Sequence, residues 1–297
     1  MERNTAKRTL EKLLSVCICL CMLGAMLPAQ VFAEEADTAQ TETVQDTAPK
    51  DTVHLSSADD LIQLAKNCRL DSWSQNRTVV LEADVDLSSV DFNGIPSFGG
   101  TWEGQNHAIT GLSLSQDGSV QGLFRYVQQG ALVRDMTVKG RIKPGGTRAS
   151  VGGIAGSNAG TIENCAFDGV VSGTSQIGGI AGVNTVKGSI NGCTVSGTVY
   201  GSHFVGGVVG QNDGVAANCT NVASVNTTVS QNEVKLNDLT LDNVLKTEKA
   251  NDVTDAGGIA GNNAGVLRAC INRGTIGYSH IGYNVGGIAG SQTGYVE

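Results

Sequence analysis

A mostly β solenoid, closed on its N-terminal side by one short helix, is the architecture expected of this 297-residue sequence. Three observations carry that expectation. Gly-Gly followed by an aliphatic residue, a small residue and Gly recurs from Gly152, Gly178, Gly206, Gly257 and Gly286, at intervals of 26, 28, 51 and 29 residues. A period of that size marks stacked repeats. The same residue types also return at the same offsets within each unit. Finally, the apolar segments between glycines are too short for helices, so only stacking of one coil on the next buries them.

The offsets justify each element of a coil. Six residues after the first glycine come Asn158, Asn184, Asn212 and Asn263, with Gln292 in the last unit. Two residues further stand Gly160, Gly214, Gly265 and Gly294, and Gly188 joins them once a two-residue insertion is allowed. Asn-x-Gly reads as a turn, because both residue types tolerate positive φ. An apolar position follows (Ile162, Ile190, and at or near Val215 and Leu267), then Cys165, Cys193, Cys219 and Cys270, then Val171, Val199, Val225 and Ile276. Each unit therefore reads as three short strands separated by glycine turns. Strands of successive coils pair at about 4.8 Å, so like residues are expected to stack in ladders, Ile over Ile, Cys over Cys and Asn over Asn.

The run Gly152-Gly153-Ile154-Ala155-Gly156-Ser157-Asn158-Ala159-Gly160-Thr161-Ile162-Glu163-Asn164-Cys165 resembles the GLUG repeat of bacterial surface and secreted proteins, which also occurs in the N-terminal regions of IgA-type metallopeptidases. The strong matches cover Val151 to Val225 and Ala256 to the end. Gly100-Thr101-Trp102-Glu103-Gly104-Gln105-Asn106-His107 and Gly122-Leu123-Phe124 look like degenerate first coils. The third repeat departs from the pattern, with Val208-Val209 for Ile-Ala and Ala223 where glycine is usual. The resemblance implies a right-handed parallel β-helix of the pectate-lyase-like kind.

Ahead of the repeats, Arg3, Lys7, Arg8 and Lys12 precede an apolar run from Leu13 to Leu27 and the small-residue pattern Val31-Phe32-Ala33. Residues 1–33 read as a secretory signal peptide whose apolar run is shorter than the roughly 20 residues of a membrane span. Residues 34–52 are polar, acidic and aperiodic, the pattern of a disordered leader. Residues 53–150 are assigned to a capping helix and the degenerate coils, and 151–297 to the regular repeats. In the cap, Ser57 with Asp60 three residues on starts a helix whose apolar stripe is Leu61, Ile62, Leu64 and Ala65. Such a helix shields the sheet end from pairing with other chains. The 51-residue interval holds one coil plus an insertion at about 226–252, either a surface loop or a binding loop. The chain stops at Glu297, a few residues into its fifth clear repeat, so the expectation is either a longer polypeptide or an exposed edge.

Without residues 1–33 the chain keeps 16 Lys and Arg against 26 Asp and Glu, a net charge near minus 10. That surface repels phosphate backbones, so no nucleic-acid partner is expected. Five cysteines remain, too few and an odd number for a disulfide-stapled scaffold. Cys165, Cys193, Cys219 and Cys270 read as stacked buried thiols, with disulfides between coils as the alternative.

Candidate catalytic residues are sparse, and none is assigned as catalytic, cofactor-binding or metal-binding. None of His54, His107, His203 or His280 precedes Glu, so the zinc motif of the metallopeptidases is missing. No lysine follows a glycine, which removes the phosphate-binding loop. Glu82-Ala83-Asp84-Val85-Asp86 could present two carboxylates on one strand face, as calcium-dependent lyases do, or simply a solvated face. Arg141-Ile142-Lys143 is similar to a substrate-binding triplet of polygalacturonases, but the accompanying Asp pair and His-Gly are absent from the coils.

The expected function is a non-enzymatic secreted or cell-surface structural and adhesion module, the N-terminal part of a longer bacterial protein. Its expected partners are host or cell-wall carbohydrate or protein, with no cofactor and no membrane span in the mature chain. One alternative is a carbohydrate-active β-helix enzyme, which requires Asp84, Asp86 and Arg141 to converge. Another is the targeting region of a surface metallopeptidase with its catalytic domain beyond residue 297.

Overall fold

The computed structural model describes residues 50–146, 148–227, 254–277 and 284–297. Residues 1–33, read above as a signal peptide, residues 34–49 of the stretch read as leader and residues 228–252 of the insertion lie outside the described residues. What is described is a parallel β-solenoid of about eight turns with one short helix at its N-terminal end.

A regular coil carries four strands, Ala149–Gly152, Ala155–Asn158, Thr161–Glu163 and Ala166–Ser172. Their equivalents in the next coil are Ser175–Gly178, Ala181–Asn184, Ser189–Asn191 and Thr194–Tyr200, and all four pairs are parallel and without slip. Stacking them generates four sheets, here called D, C, A and B in the order the chain visits them. The three-strand expectation missed sheet D for a physical reason. Four of its strands carry a left-handed residue (Ser150, Gln176, Phe204 or Asp255) and Asn284 holds the same conformation just before the fifth, all at φ 51–70°, which breaks the alternation that makes a strand legible.

The Gly-Gly pair is the corner between sheets D and C. A Cβ on Gly152 would collide with the Ala155 carbonyl, and one on Gly153 with the Phe167 ring and the Gly179 carbonyl. Glycine is there because the backbone passes so close to the next coil.

Inside the coil the expected ladders form. In sheet A, Val79, Trp102, Val133, Ile162, Ile190, Ala216 and Leu267 stand on one another, each fully or almost fully buried. Each aliphatic rung is worth roughly 1.5–3 kcal/mol of burial. The first coils are wider in side chain, with Phe98, Trp102 and Phe124 packed edge-on or tilted at 5.3–6.2 Å. Gly100–Glu103 and Gly122–Phe124 fall in the columns of the regular repeat, as their resemblance to it implies.

The asparagines play a part that turn chemistry does not explain. Asn158, Asn184, Asn212 and Asn263 are fully buried, and none has positive φ. Their amides form a chain, Asn158 Nδ2 to Asn184 Oδ1 (2.8 Å), Asn184 to Asn212 (2.8 Å), Asn212 to Asn263 (2.7 Å) and Asn263 to Gln292 (2.9 Å). The turn is secured by the side chain instead: Asn158 Oδ1 accepts from Gly160 N, and its Nδ2 donates to the Gly160 carbonyl. Left-handed residues sit elsewhere, at Asp135, Asn164, Gly192, Asn218 and Ala269, one position before the buried Met136 or the cysteines.

The cap forms as the pattern requires. The first strand, Lys50–Leu55, begins inside the stretch read as leader and pairs in sheet A with Arg77–Leu81. Between them, helix α1 (Ala58–Asn67) replaces the rest of that coil. It packs against Lys50–Leu55 and against Ile95–Phe98, the outermost strand of sheet C. Leu61 and Leu64 enter the core.

Across the 51-residue interval the stack is unbroken, since Gly206 pairs directly with Gly257 and Asn212 with Asn263. The extra residues leave after Thr227 and return at Thr254, at the corner between sheets B and D.

Candidate functional site

The chemistry-bearing residues gather on the outer face of sheet B and at the corner where it turns into sheet D. Sheet B strands bend at a glycine (Gly111, Gly169 and Gly197 have φ of 70°, 155° and 94°), so each offers two outward faces. Before the bend, Asp86, Thr110, Lys139, Asp168 and Ser196 form one outward row. Asp168 accepts from Ser196 Oγ at 2.9 Å.

Asp84 and Asp86 flank the buried Val85 on this face, whereas Glu82 belongs to the turn after the sheet A strand Arg77–Leu81. The run 82–86 is therefore not one strand. Asp84 accepts from Ala108 N at 2.8 Å and lies 3.1 Å from His107 Nδ1. The Ala108 N–H, then His107, hold its carboxyl below the usual range. Asp86 accepts from Ser88 N and Ser88 Oγ at 2.9 Å each, and those bonds pull its carboxyl down in the same way. Both are exposed bases committed to local hydrogen bonds. Arg141 stands two coils on and past the Gly140 bend, paired in register with Ser113, and the cation beside Asp84 is Lys139. Asp84, Asp86 and Arg141 thus share a sheet without sharing a site.

The histidines are dispersed. His54 meets Glu82 at 2.6 Å, His107 meets Asp84, His203 begins a sheet D strand, and His280 lies outside the described residues. The thiols stack as expected. Cys165, Cys193, Cys219 and Cys270 are free, and each sulfur faces a carbonyl of the preceding coil (Val133, Ile162, Ile190 and Ala216 at 3.5–3.8 Å). Burial pushes the Cys165 thiol up to about 12. Cys219 is likewise pushed up to about 12, first by the neighbouring Cys193 thiol. These are neutral core groups rather than nucleophiles.

At the corner itself the register continues past Ile142, Val171 and Val199 to Lys143, Ser172 and Tyr200, on three successive coils. Arg141 and Lys143 are exposed on either side of the buried Ile142, and neither has an ion-pair partner among the described residues. Tyr200 brings its phenol near Ser172 and Lys143. Burial disfavours ionisation of this phenol, but the neighbouring Ser172 hydroxyl and Lys143, with the charges of Lys143 and Arg141, outweigh it and leave the group below its ordinary range. Arg148 closes the same turn: its carbonyl accepts from Thr174 N at 2.7 Å, and its Nε is buried without a hydrogen-bond partner. Sequence reasoning reached Arg141 and Lys143 but missed Tyr200, Ser172 and Arg148. Only register across three coils brings them together.

No family model matches the chain. Halomucin of Haloquadratum walsbyi is 28% identical over 128 residues, which is 37% of this chain and 1% of halomucin. The chain thus spans about a hundredth of the length of that relative. A crystal structure from Bacteroides ovatus, of a protein provisionally named an immunoglobulin A1 protease, aligns with a TM-score of 0.48 at 16% identity, over 82% of this chain and 83% of that one.

Proposed function

We propose that the chain is a non-enzymatic secreted or cell-surface module, a rigid spacer that also adheres to carbohydrate or protein. One observation carries the reading: an unbroken four-sheet stack in which successive coils keep the same register even across the 51-residue interval. Eight coils at about 4.8 Å make a rod on the order of 40 Å long. Such a rod holds its two ends apart and displays repeated side-chain rows along its flanks. The likeness of Gly152–Cys165 to GLUG repeats and the signal-peptide pattern of residues 1–33 support export and a surface role.

Binding of the protein to an array of cell-wall polysaccharides, mucins and matrix proteins tests this reading, alongside an assay for new reducing ends in each bound polymer. Retention without cleavage is the expected outcome. Turnover of any polymer, or silence across the whole array, overturns it.

A further inference from the structure

We propose that the corner between sheets B and D, at Arg141, Lys143, Arg148 and Tyr200, is a binding site for an acidic polysaccharide, one bearing carboxylate or sulfate groups. This deepens the adhesive reading above and rests on it.

The chain is acidic overall, so a place where cations gather without carboxylate partners is an exception with a physical consequence. Most other arginines of the coils are engaged: Arg134 with Glu103 at 2.7 and 2.8 Å, Arg268 with Glu297 at 2.5 Å, and Arg125 with the carbonyls of Val120 and Ser119. Arg141 and Lys143 instead project side by side into solvent, and Arg148 brings a buried, unpartnered Nε to the same turn. Tyr200 adds a flat amphipathic ring two coils on, its hydroxyl near Lys143. One coil below, Asp117 presents its carboxylate to the backbone of Gly145 and Gly146, which repels anions from that side and gives the site a direction along the rod.

Geometry selects the class of ligand. The groups spread over three coils spaced about 4.8 Å apart, so they face an extended chain rather than a single ion. The sheet B strands at this corner and the sheet D strand Ser175–Gly178 are paired on both sides, and the outermost sheet D strand, Ala149–Gly152, is already bonded along its free side by Val120 and Gln121, so no long backbone edge is left for an added peptide strand. Hydroxyl groups of Thr174, Thr198 and Ser202 flank the cations, a surface suited to a ligand rich in hydroxyls and anions. Next to this corner Phe204 holds a left-handed φ of 51°, where the other coils place Ser150, Gln176, Asp255 or Asn284. A bulky residue in that conformation is strained, and strain of this kind concentrates at functional surfaces.

The test uses the full chain and measures binding of polygalacturonate and heparin, with dextran as the neutral polymer and polyglutamate as the acidic peptide. Retention of at least one polysaccharide polyanion and not of dextran is expected, weakening as salt rises; which of the two is held assigns carboxylate or sulfate. Arg141→Ser with Lys143→Ser should weaken binding at least about tenfold. Tyr200→Phe should weaken it several-fold at unchanged charge, Asp117→Asn should strengthen it, and Lys187→Ser, on the turn between sheets C and A, should leave it unchanged. Circular dichroism confirms that each variant is folded. The site is overturned if neither polyanion is held, if Lys187→Ser costs as much as the double change, or if polyglutamate binds more tightly than both polysaccharides. A chain that holds neither polyanion yet adheres to other polymers on the array overturns this site alone, whereas silence on both removes the adhesive reading beneath it.

Discussion

Asn184 sits at the middle of the amide chain, donating to Asn212 and accepting from Asn158, each at 2.8 Å, in a fully buried position. Replacing it with Val leaves a donor of Asn158 and an acceptor of Asn212 unsatisfied in the core. Each orphaned group costs about 1–3 kcal/mol, so Asn184→Val should destabilise the protein by about 3 kcal/mol, read as a lower urea midpoint. Gln292→Ala, at the solvent-exposed last rung, should cost much less. Equal losses at the two positions would mean that the amide chain does not act as a buried network. Conformation decides the opposite case at Ala269, which is exposed and held at φ 49° in a column otherwise occupied by Asp135, Asn164, Gly192 and Asn218. Ala269→Gly removes that strain and should stabilise by about 1 kcal/mol, visible as a raised Tm. The asparagine period was plain in the sequence, but its cause was not. A recurring Asn-x-Gly reads equally as a left-handed turn or as a side chain folded onto its own backbone, and only the buried amide chain separates the two.

Helix α1 was legible to within a residue or two because its signals are local. Ser57 adopts an extended conformation and its Oγ accepts from Asp60 N at 3.2 Å, while the Asp60 carboxylate accepts from Ser56 N at 3.0 Å and Ser57 Oγ at 2.7 Å. Ser57→Ala should cost about 1 kcal/mol. The Ser56 N–H, then the Ser57 hydroxyl, hold the Asp60 carboxyl below its usual value. A carboxyl depressed in the folded state contributes stability above its unfolded pKa of about 3.9 and loses it as pH falls through the folded value. The deficit of Asp60→Asn against the parent should therefore be present at neutral pH and shrink in acid, and a deficit independent of pH would rule out the charged cap. The cysteine column is an element of another kind. Its place in the repeat marked it as inward, and the sulfurs do face carbonyls inside the stack. Native thiols should resist alkylation at neutral and mildly alkaline pH, with the half-buried Cys270 labelled first and all five of the described cysteines reacting on unfolding. Rapid labelling of Cys165 in the folded protein would contradict the ladder. Sheet D was the element lost to sequence reasoning, because a left-handed residue inside a four-residue strand hides the period-two pattern that short strands depend on.

For the molecule as a whole, stability is the sum of coils and of the contacts between neighbours, so an excursion that leaves and re-enters at one corner should be separable from the stack. The geometry of that corner is specific. In the preceding coil the chain passes from Val199 through Tyr200, Gly201 and Ser202 to His203. After the interval, Val225 stands on Val199 and Thr254 on His203. Deleting residues 228–252 leaves Asn226, Thr227 and Val253 to make the passage that Tyr200, Gly201 and Ser202 make one coil earlier. The shortened chain should therefore fold, and closing a turn instead of a loop of about 26 residues should stabilise it by up to about 2 kcal/mol. Thermal unfolding followed by circular dichroism measures this. A lower Tm, or loss of the β signal, would show that the excised residues hold the coils together rather than ride on them. The same variant also separates the two ways this corner could adhere. Retained polyanion binding places the contact on Arg141, Lys143 and Tyr200, which remain, and abolished binding places it on residues 228–252.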